Sequence, residues 1–238
     1  MIDEGDRILV GLSGGKDSLF LLYALKCLQE KLAVKFSLAA LNINPMFTED
    51  FSTKTMEDFC SSLDVPFKSE NVDIKSVVET SGGSPCFTCS YFRRAAINRL
   101  AKELNMNKVA YAHHNDDAVE TFFMSLIYSG QLATFSPVTY LDRSDITVIR
   151  PLIYFREKEL KETVKLHGIT PAPPLCPYDG NTKRQKVKEI IEKLEDDIQG
   201  FYDHLKSAMR INAVGELWPP EKKRADMKED YFKYMNRQ

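Results

Sequence analysis

The run "ILVGLSGGKDS", Ile8 to Ser18, limits the fold more than any other stretch of the chain. An apolar, strand-like segment, Arg7–Gly11, runs directly into two adjacent glycines, a lysine and an aspartate. Apolar positions at helical spacing follow, with Leu19, Leu22, Tyr23 and Leu25 near one face. Strand, glycine turn and helix in that order build an anion-binding corner. Ser13, Gly14 and Gly15 can turn their N–H groups towards phosphate, because glycine tolerates the dihedrals that this requires. The following helix adds the positive end of its dipole. Lys16 supplies a mobile cation, Asp17 can bind magnesium or orient phosphates, and Ser18 is placed to cap the helix. The corner is not a Walker A loop. That loop needs a glycine where this chain has Val10, and a magnesium-binding hydroxyl where it has Asp17.

Strand-like and helix-like segments alternate beyond the corner. "VKFSLAALNI", Pro66–Val72, "KVAYAHH" and "ITVIRPL" read as strands two to five. Asp17–Lys31, Thr48–Leu63, Ser90–Leu104, "DDAVETFFMSLIYSG" and Glu157–His167 read as helices, and Thr182–Leu194 and Phe201–Met209 as two C-terminal helices. The pattern predicts an α/β fold, doubly wound around a mainly parallel five-stranded sheet, with ligands at the carboxyl ends of the strands. Residues 1–170 are expected to form the nucleotide-binding α/β domain, and residues 171–238 to carry a proline-rich loop, the C-terminal helices packed on the same domain, and a polar tail after "WPP", Trp218 to Pro220.

Composition excludes more than it selects. A net charge of −2 gives no general attraction to nucleic acid, so such a partner must meet a local basic patch. The charged start "MIDEGDR" has no apolar signal region, and "LFLLYAL" is too short to span a bilayer, which predicts a cytoplasmic protein. Its five cysteines are then metal, catalytic or core residues before they are disulfides.

Cys86 and Cys89 form C-x-x-C in the loop "SGGSPCFTC", and Cys176 lies in the loop "GITPAPPLCPYDGN". Both loops can face the strand ends. C-x-x-C alone serves zinc, redox and structural turns alike, so zinc and a redox pair with an unrelated core thiol both stay open. Cys27 and Cys60 fall on apolar helical stretches and read as core thiols. His113, His114, Asp116 and Asp117 follow the fourth strand at its carboxyl end. Adjacent carboxylates there can bind magnesium or share a proton, although an aspartate is also a good N-cap.

"SGGKDS" resembles the PP-loop of the ATP pyrophosphatases, with their adenine-nucleotide alpha hydrolase-like fold. With "CFTCSYFRR", "AHHNDDAVETFFMSLIYSG", "IRPLIYFREKEL" and the late cysteine, the chain resembles the TtcA family, which makes 2-thiocytidine in tRNA. The resemblance implies that ATP is cut between its α and β phosphates and that AMP is left on a base carbonyl oxygen. Sulfur then replaces that oxygen. It implies a 4Fe–4S cluster on Cys86, Cys89 and Cys176. Three thiolates leave one iron open, where an extra sulfide can become the nucleophile. It implies that Ser13 to Ser18, Asn42, His113 and Asp116 hold ATP and Mg2+, with adenine against the backbone near Leu41–Ile43. It gives catalytic roles to Lys16, Asp17, Arg93 and Asp117. The implied partners are tRNA, a sulfur donor such as a cysteine desulfurase or free sulfide, and a second copy in a homodimer.

Cationic surface for tRNA is expected from Arg93, Arg94, Arg99 and Lys102, from Lys183, Arg184, Lys186 and Lys188, and from Lys222, Lys223 and Arg224. Two other readings remain: the same chemistry on another RNA base or a small molecule, and a non-enzymatic ATP-binding module.

Overall fold

The computed structural model describes residues 1–49, 51–173, 176–178, 180 and 182–210. The expected cluster Lys222, Lys223 and Arg224 and the polar tail lie outside the described residues. The chain divides into two compact units, Met1–Ile191 and Glu192–Gln238. The first therefore extends past residue 170 and includes the loop of Cys176.

The elements run β1 (Arg7–Gly11), α1 (Lys16–Lys31), β2 (Ser37–Asn44), α2 (Lys54–Ser62), β3 (Phe67–Asn71), α3 (Ile74–Thr80) and α4 (Pro85–Glu103). β4 (Lys108–Ala110), α5 (Asn115–Ser129), β5 (Val138–Leu141), β6 (Ile146–Ile149), α6 (Glu157–Leu166), α7 (Lys183–Asp197) and α8 (Phe201–Arg210) complete the order. α8 belongs to the second unit, and α7 crosses the boundary.

Among the described residues the sheet has six strands in the order β3-β2-β1-β4-β6-β5, not five. All pairs are parallel except β5 with β6. The extra strand is an edge hairpin arm whose residues alternate between exposed and half-buried, so it lacks the continuous apolar run of a central strand. Asp145 closes the hairpin with φ 53, in the left-handed region that Asp tolerates better than most residues.

The strand residues feed two cores by simple alternation. Ile8, Val10 and Leu12 join Leu19, Leu22 and Leu25 of α1 and Leu160 and Val164 of α6 on one face. Leu9, Leu41 and Val109 join Ile74 of α3 and Ile97 and Leu100 of α4 on the other. α1 and α4 thus cover opposite faces of the sheet. β1 lies between β2 and β4, so the chain turns outward in opposite directions from it. The resulting crevice at the strand ends is where open α/β sheets bind ligands.

Two helices begin elsewhere than expected. α2 starts at Lys54, six residues after Thr48, with Thr53 as its N-cap. α4 starts at Pro85, so Cys86 and Cys89 stand in its first turns rather than in a loop. Ser84 and Pro85 look like loop punctuation, but they occupy N-cap and N1, where proline has no N–H to waste and its φ is already helical. α3, capped by Asp73 accepting from Ser76 N–H at 3.1 Å, lies in a stretch to which no element was assigned.

Candidate active site

The corner after β1 is held by hydroxyls. Ser13 N–H donates to Ser18 Oγ (3.2 Å), the two hydroxyls lie 3.1 Å apart, and Ser18 O–H donates to the Gly15 carbonyl (2.9 Å). Ser18 therefore ties the loop together instead of capping α1, whose N-cap is Gly15. Gly14 takes φ 81, and a Cβ there would lie 3.2 Å from Ala172 Cβ. Both facts demand glycine. The Gly14 carbonyl accepts from Ala172 N–H at 2.9 Å, which joins this loop to the segment leading to Cys176.

Asn42 is buried at the end of β2. Its amide donates to the Leu12 carbonyl (2.8 Å), and its oxygen accepts from Ser69 O–H (3.3 Å). The side chain expected near a ribose is thus spent on holding the loop.

Lys16 Nζ sits 2.9 Å from Asp17 Oδ2 and 3.0 Å from Glu157 Oε1. Burial would lower the Lys16 pKa, but these two carboxylates outweigh it and hold it above its ordinary value. The other oxygen of Asp17 is buried with no hydrogen-bond partner, a vacant acceptor beside the anion corner. Glu157 also accepts from Lys188 (2.7 Å) and Lys161 (3.1 Å). Burial would raise its pKa, yet Lys188, Lys16 and Lys161 hold it far below the usual carboxylate range.

The loop after β4 meets this group from the other side of the switch point. His114 caps α5: its ring accepts from Asp117 N–H (3.4 Å), while Asp117 Oδ2 accepts from His114 N–H (2.9 Å). Asp116 accepts from Arg156 Nε (3.1 Å) and from Glu157 N–H (2.7 Å), pinning the start of α6. Asp117 Oδ1 lies 3.5 Å from Arg184, which also donates to the buried Glu120 (2.8 Å).

His113 packs between Tyr111 and Phe135, with ring centroids at 5.8 and 5.0 Å. Burial pushes its pKa down to about 4 despite Asp117, so the ring is neutral at neutral pH, with a buried Nδ1 that has no partner. The Tyr111 hydroxyl is also buried without a partner, and burial pushes it up to about 12 against the pull of Arg94, Arg150 and Arg93. Arg93 Nε is a third buried, partnerless group, and Arg150 lies over the Phe135 ring at 4.9 Å.

Cys86, Cys89 and Cys176 are free thiols; Cys86 and Cys176 are exposed and Cys89 half-buried. Burial pushes the Cys89 thiol up, Arg93 pulls it down, and Cys176 and Cys86 push it up again. The fold thus brings Cys86 and Cys176 each within electrostatic range of Cys89. Among the described residues no three His, Cys, Asp or Glu side chains converge closely enough to hold a metal ion by themselves. Cys60 is a core thiol, pushed by burial up to about 11, and Cys27 is half-buried.

Of the expected basic groups, Arg99 is paired with Glu103 (2.8 Å), Lys188 with Glu157 and Arg184 with Glu120. Lys183 stands 4.7 Å over the Tyr128 ring. Glu157, Tyr111 and Arg150 carry site contacts that sequence reasoning did not assign. For the first and last, the signal is the charged run "IRPLIYFREKEL".

Fold and corner together define a PP-loop nucleotide-binding domain, and the family model of the PP-loop domain matches residues 3–192. Among curated proteins, the tRNA-cytidine(32) 2-sulfurtransferase of Syntrophotalea carbinolica is 34% identical over 224 residues, covering 92% of this chain and 84% of the relative. That of Ralstonia pickettii is 36% identical over 214 residues, covering 88% and 68%. The U34-tRNA thiolase NcsA from Methanococcus maripaludis, solved with its 4Fe–4S cluster, superposes with a TM-score of 0.69 over 97% of this chain and 82% of that one. At 21% identity it supports the fold. The chain belongs to the tRNA-cytidine 2-sulfurtransferase family of PP-loop proteins.

Proposed function

We propose that this protein thiolates a cytidine of tRNA, at position 32 as the names of its relatives state. The base carbonyl oxygen attacks the α-phosphorus of ATP, the bond to the β-phosphate breaks, and pyrophosphate leaves. A sulfur nucleophile then adds to the activated carbon, and the oxygen departs with AMP. Ser13, Gly14 and Gly15 orient the phosphates with their N–H groups, and Lys16 offsets the charge that grows on the leaving group. Asp17, with its vacant buried oxygen, takes Mg2+. Asp117 and the half-buried Arg93 act on the base, while His113 and Asp116 shape the nucleotide's surroundings.

Cys86, Cys89 and Cys176 fit an iron–sulfur cluster by donor chemistry: three free thiols, two of them in electrostatic range of the third, Cys89, which is half-buried beside Arg93. When bound, such a cluster supplies an iron that the protein does not ligate, suited to presenting sulfur. The sulfur comes from a desulfurase or free sulfide. A homodimer and a cytoplasmic location complete the reading; no described helix is long and apolar enough to cross a membrane.

The observation that carries the proposal is the bond from Ala172 N–H to the Gly14 carbonyl, which puts the segment of the third cysteine against the phosphate corner. The test is mass spectrometry of tRNA nucleosides from a deletion strain. The expected result is loss of 2-thiocytidine, restored by the wild-type gene and not by Lys16→Ala. An unchanged thiocytidine content would overturn the assignment of the base.

A further inference from the structure

The first half of α4 turns aromatic rings outward. Phe87 and Tyr91, one helical turn apart, are 68% and 56% exposed, and Phe92 beside them is exposed as well. The helix is fastened mainly by its second half, where Ala96, Ile97, Leu100 and Ala101 are buried. The outward rings are therefore not needed to hold α4 on the sheet. They are nevertheless ordered among themselves. Phe87 and Tyr91 lie with centroids 6.5 Å apart and planes within 21° of parallel. Phe92 meets Tyr91 edge-on at 5.3 Å and 82°, which braces it. The exposed Cys86 immediately precedes this row.

Charge narrows what the row can receive. α4 carries no acidic residue before Glu103, and Arg93 and Arg94 follow the rings directly. Arg94 Nε donates to the Ser90 carbonyl at 3.0 Å, which ties its guanidinium to the turn that carries Tyr91. The Tyr111 hydroxyl lies in charge range of Arg94, Arg150 and Arg93 at once, and Arg150 lies in range of Arg94. The Nε groups of Arg93 and Arg150 are buried without a partner. Asp117, the carboxylate that acts on His113 together with Arg150, is engaged by Arg184 and by the His114 N–H. Like charges gathered in this way favour an anion. A second copy of the chain suits the row poorly, because a two-fold contact sets these arginines against their own counterparts. A base-paired duplex keeps its base faces stacked inside. The unpaired bases of a loop stack on aromatic side chains while arginine meets phosphate.

We propose that Phe87 and Tyr91 form a stacking platform for unpaired bases of a single-stranded RNA loop, with Arg94 on the adjoining backbone phosphate. The platform rests on the reading that the substrate is tRNA, and it names the surface that grips the loop. Phe87 and Tyr91 are positioning residues: they hold bases beside the reacting one and touch no reacting atom. The helix that carries Cys86 and Cys89 thus also holds the strand to be modified.

The platform is tested by fluorescence anisotropy of anaerobically purified full-length protein over a salt series. The probes are a labelled RNA stem-loop with the target cytidine in its loop, and a fully paired RNA duplex of the same length. The stem-loop is expected to bind more tightly. Phe87→Ala and Tyr91→Ala should each weaken stem-loop binding about fivefold or more, the range of one stacked base, and leave duplex binding, ATP binding and the salt slope unchanged. Phe87→Tyr and Tyr91→Phe should retain the affinity. Arg94→Gln should weaken binding and lower the log–log salt slope by about 0.7, the share of one phosphate of a single strand. Both rings are more than half exposed, so their removal spares the core. Alanine variants that bind the stem-loop as the wild type does overturn the inference while the tRNA reading stands. So does a row that pairs two copies, seen as alanine variants that sediment as monomers with RNA affinity unchanged. A wild-type protein that binds no stem-loop overturns both. Ring-dependent binding of the stem-loop, beside unchanged thiocytidine in the deletion strain, removes the assigned base and upholds the platform.

Discussion

The Asn42 side chain is 3% exposed and spends both ends on neighbours, the Leu12 carbonyl and the Ser69 hydroxyl. A polar residue in an apolar strand was legible as special; which partner it served was not, because Leu12 and Ser69 reach it only through the sheet register. Glu157 is a similar case. As a residue it reads as a good first-turn acid of a helix, and its three lysines become visible only in three dimensions. His113 carries the clearest pH signature. Its folded pKa of about 4 lies below the ordinary 6.5. A depressed value contributes stability above 6.5 that is lost as pH falls through 4, because the unfolded chain takes up the proton first. The ring resonances of His113 should therefore titrate near 4 by NMR, and His113→Asn should flatten the loss of stability between pH 6.5 and 4. Titration of that ring near 6.5 would refute the buried, neutral form.

At the scale of elements, caps explain most boundaries. α5 has both ends specified: the reciprocal His114–Asp117 pair at its start, and Gly130 with φ 62 at its end, where Gly130 and Gln131 N–H groups return to the Leu126 and Ser125 carbonyls. That helix was legible to its last residue. A Cβ at Gly130 would meet nothing within 4 Å, so Gly130→Ala pays only for the left-handed backbone. It should cost about 1 kcal/mol in urea denaturation and spare nucleotide binding. Gly14→Ala adds a close approach to Ala172 to the same backbone strain and should lose ATP binding. Equal effects of the two substitutions on ATP binding would show that the fit at Gly14 is immaterial. What escaped the sequence were short or half-exposed elements. α3 has seven residues and β5 four, too few for periodicity to rise above its surroundings. The start of α4 was hidden because Ser-Pro punctuates loops and opens helices equally well.

For the whole molecule, the doubly wound class followed from alternating elements, and the crevice followed from the class. The packing of α1 and α4 on opposite faces did not; it accompanies the strand order, which places β1 between β2 and β4. The nucleotide corner and the cysteine helix therefore stand on separate cores. Cys86→Ala, at an exposed thiol, should leave ATP affinity within about twofold of wild type, the range of a surface substitution, while anaerobically purified protein loses its iron. ATP binding that collapses together with the iron would contradict the independence of the two cores. One bond still crosses between the two chemistries, from Ala172 N–H to the Gly14 carbonyl. Cys176 is four chain steps beyond Ala172, and chain of that length reaches at most about 14 Å. The third thiol is thus on a leash whose post is the phosphate corner itself. Whatever chemistry the Cys176 thiol takes part in cannot be carried farther from the phosphate corner than the leash allows.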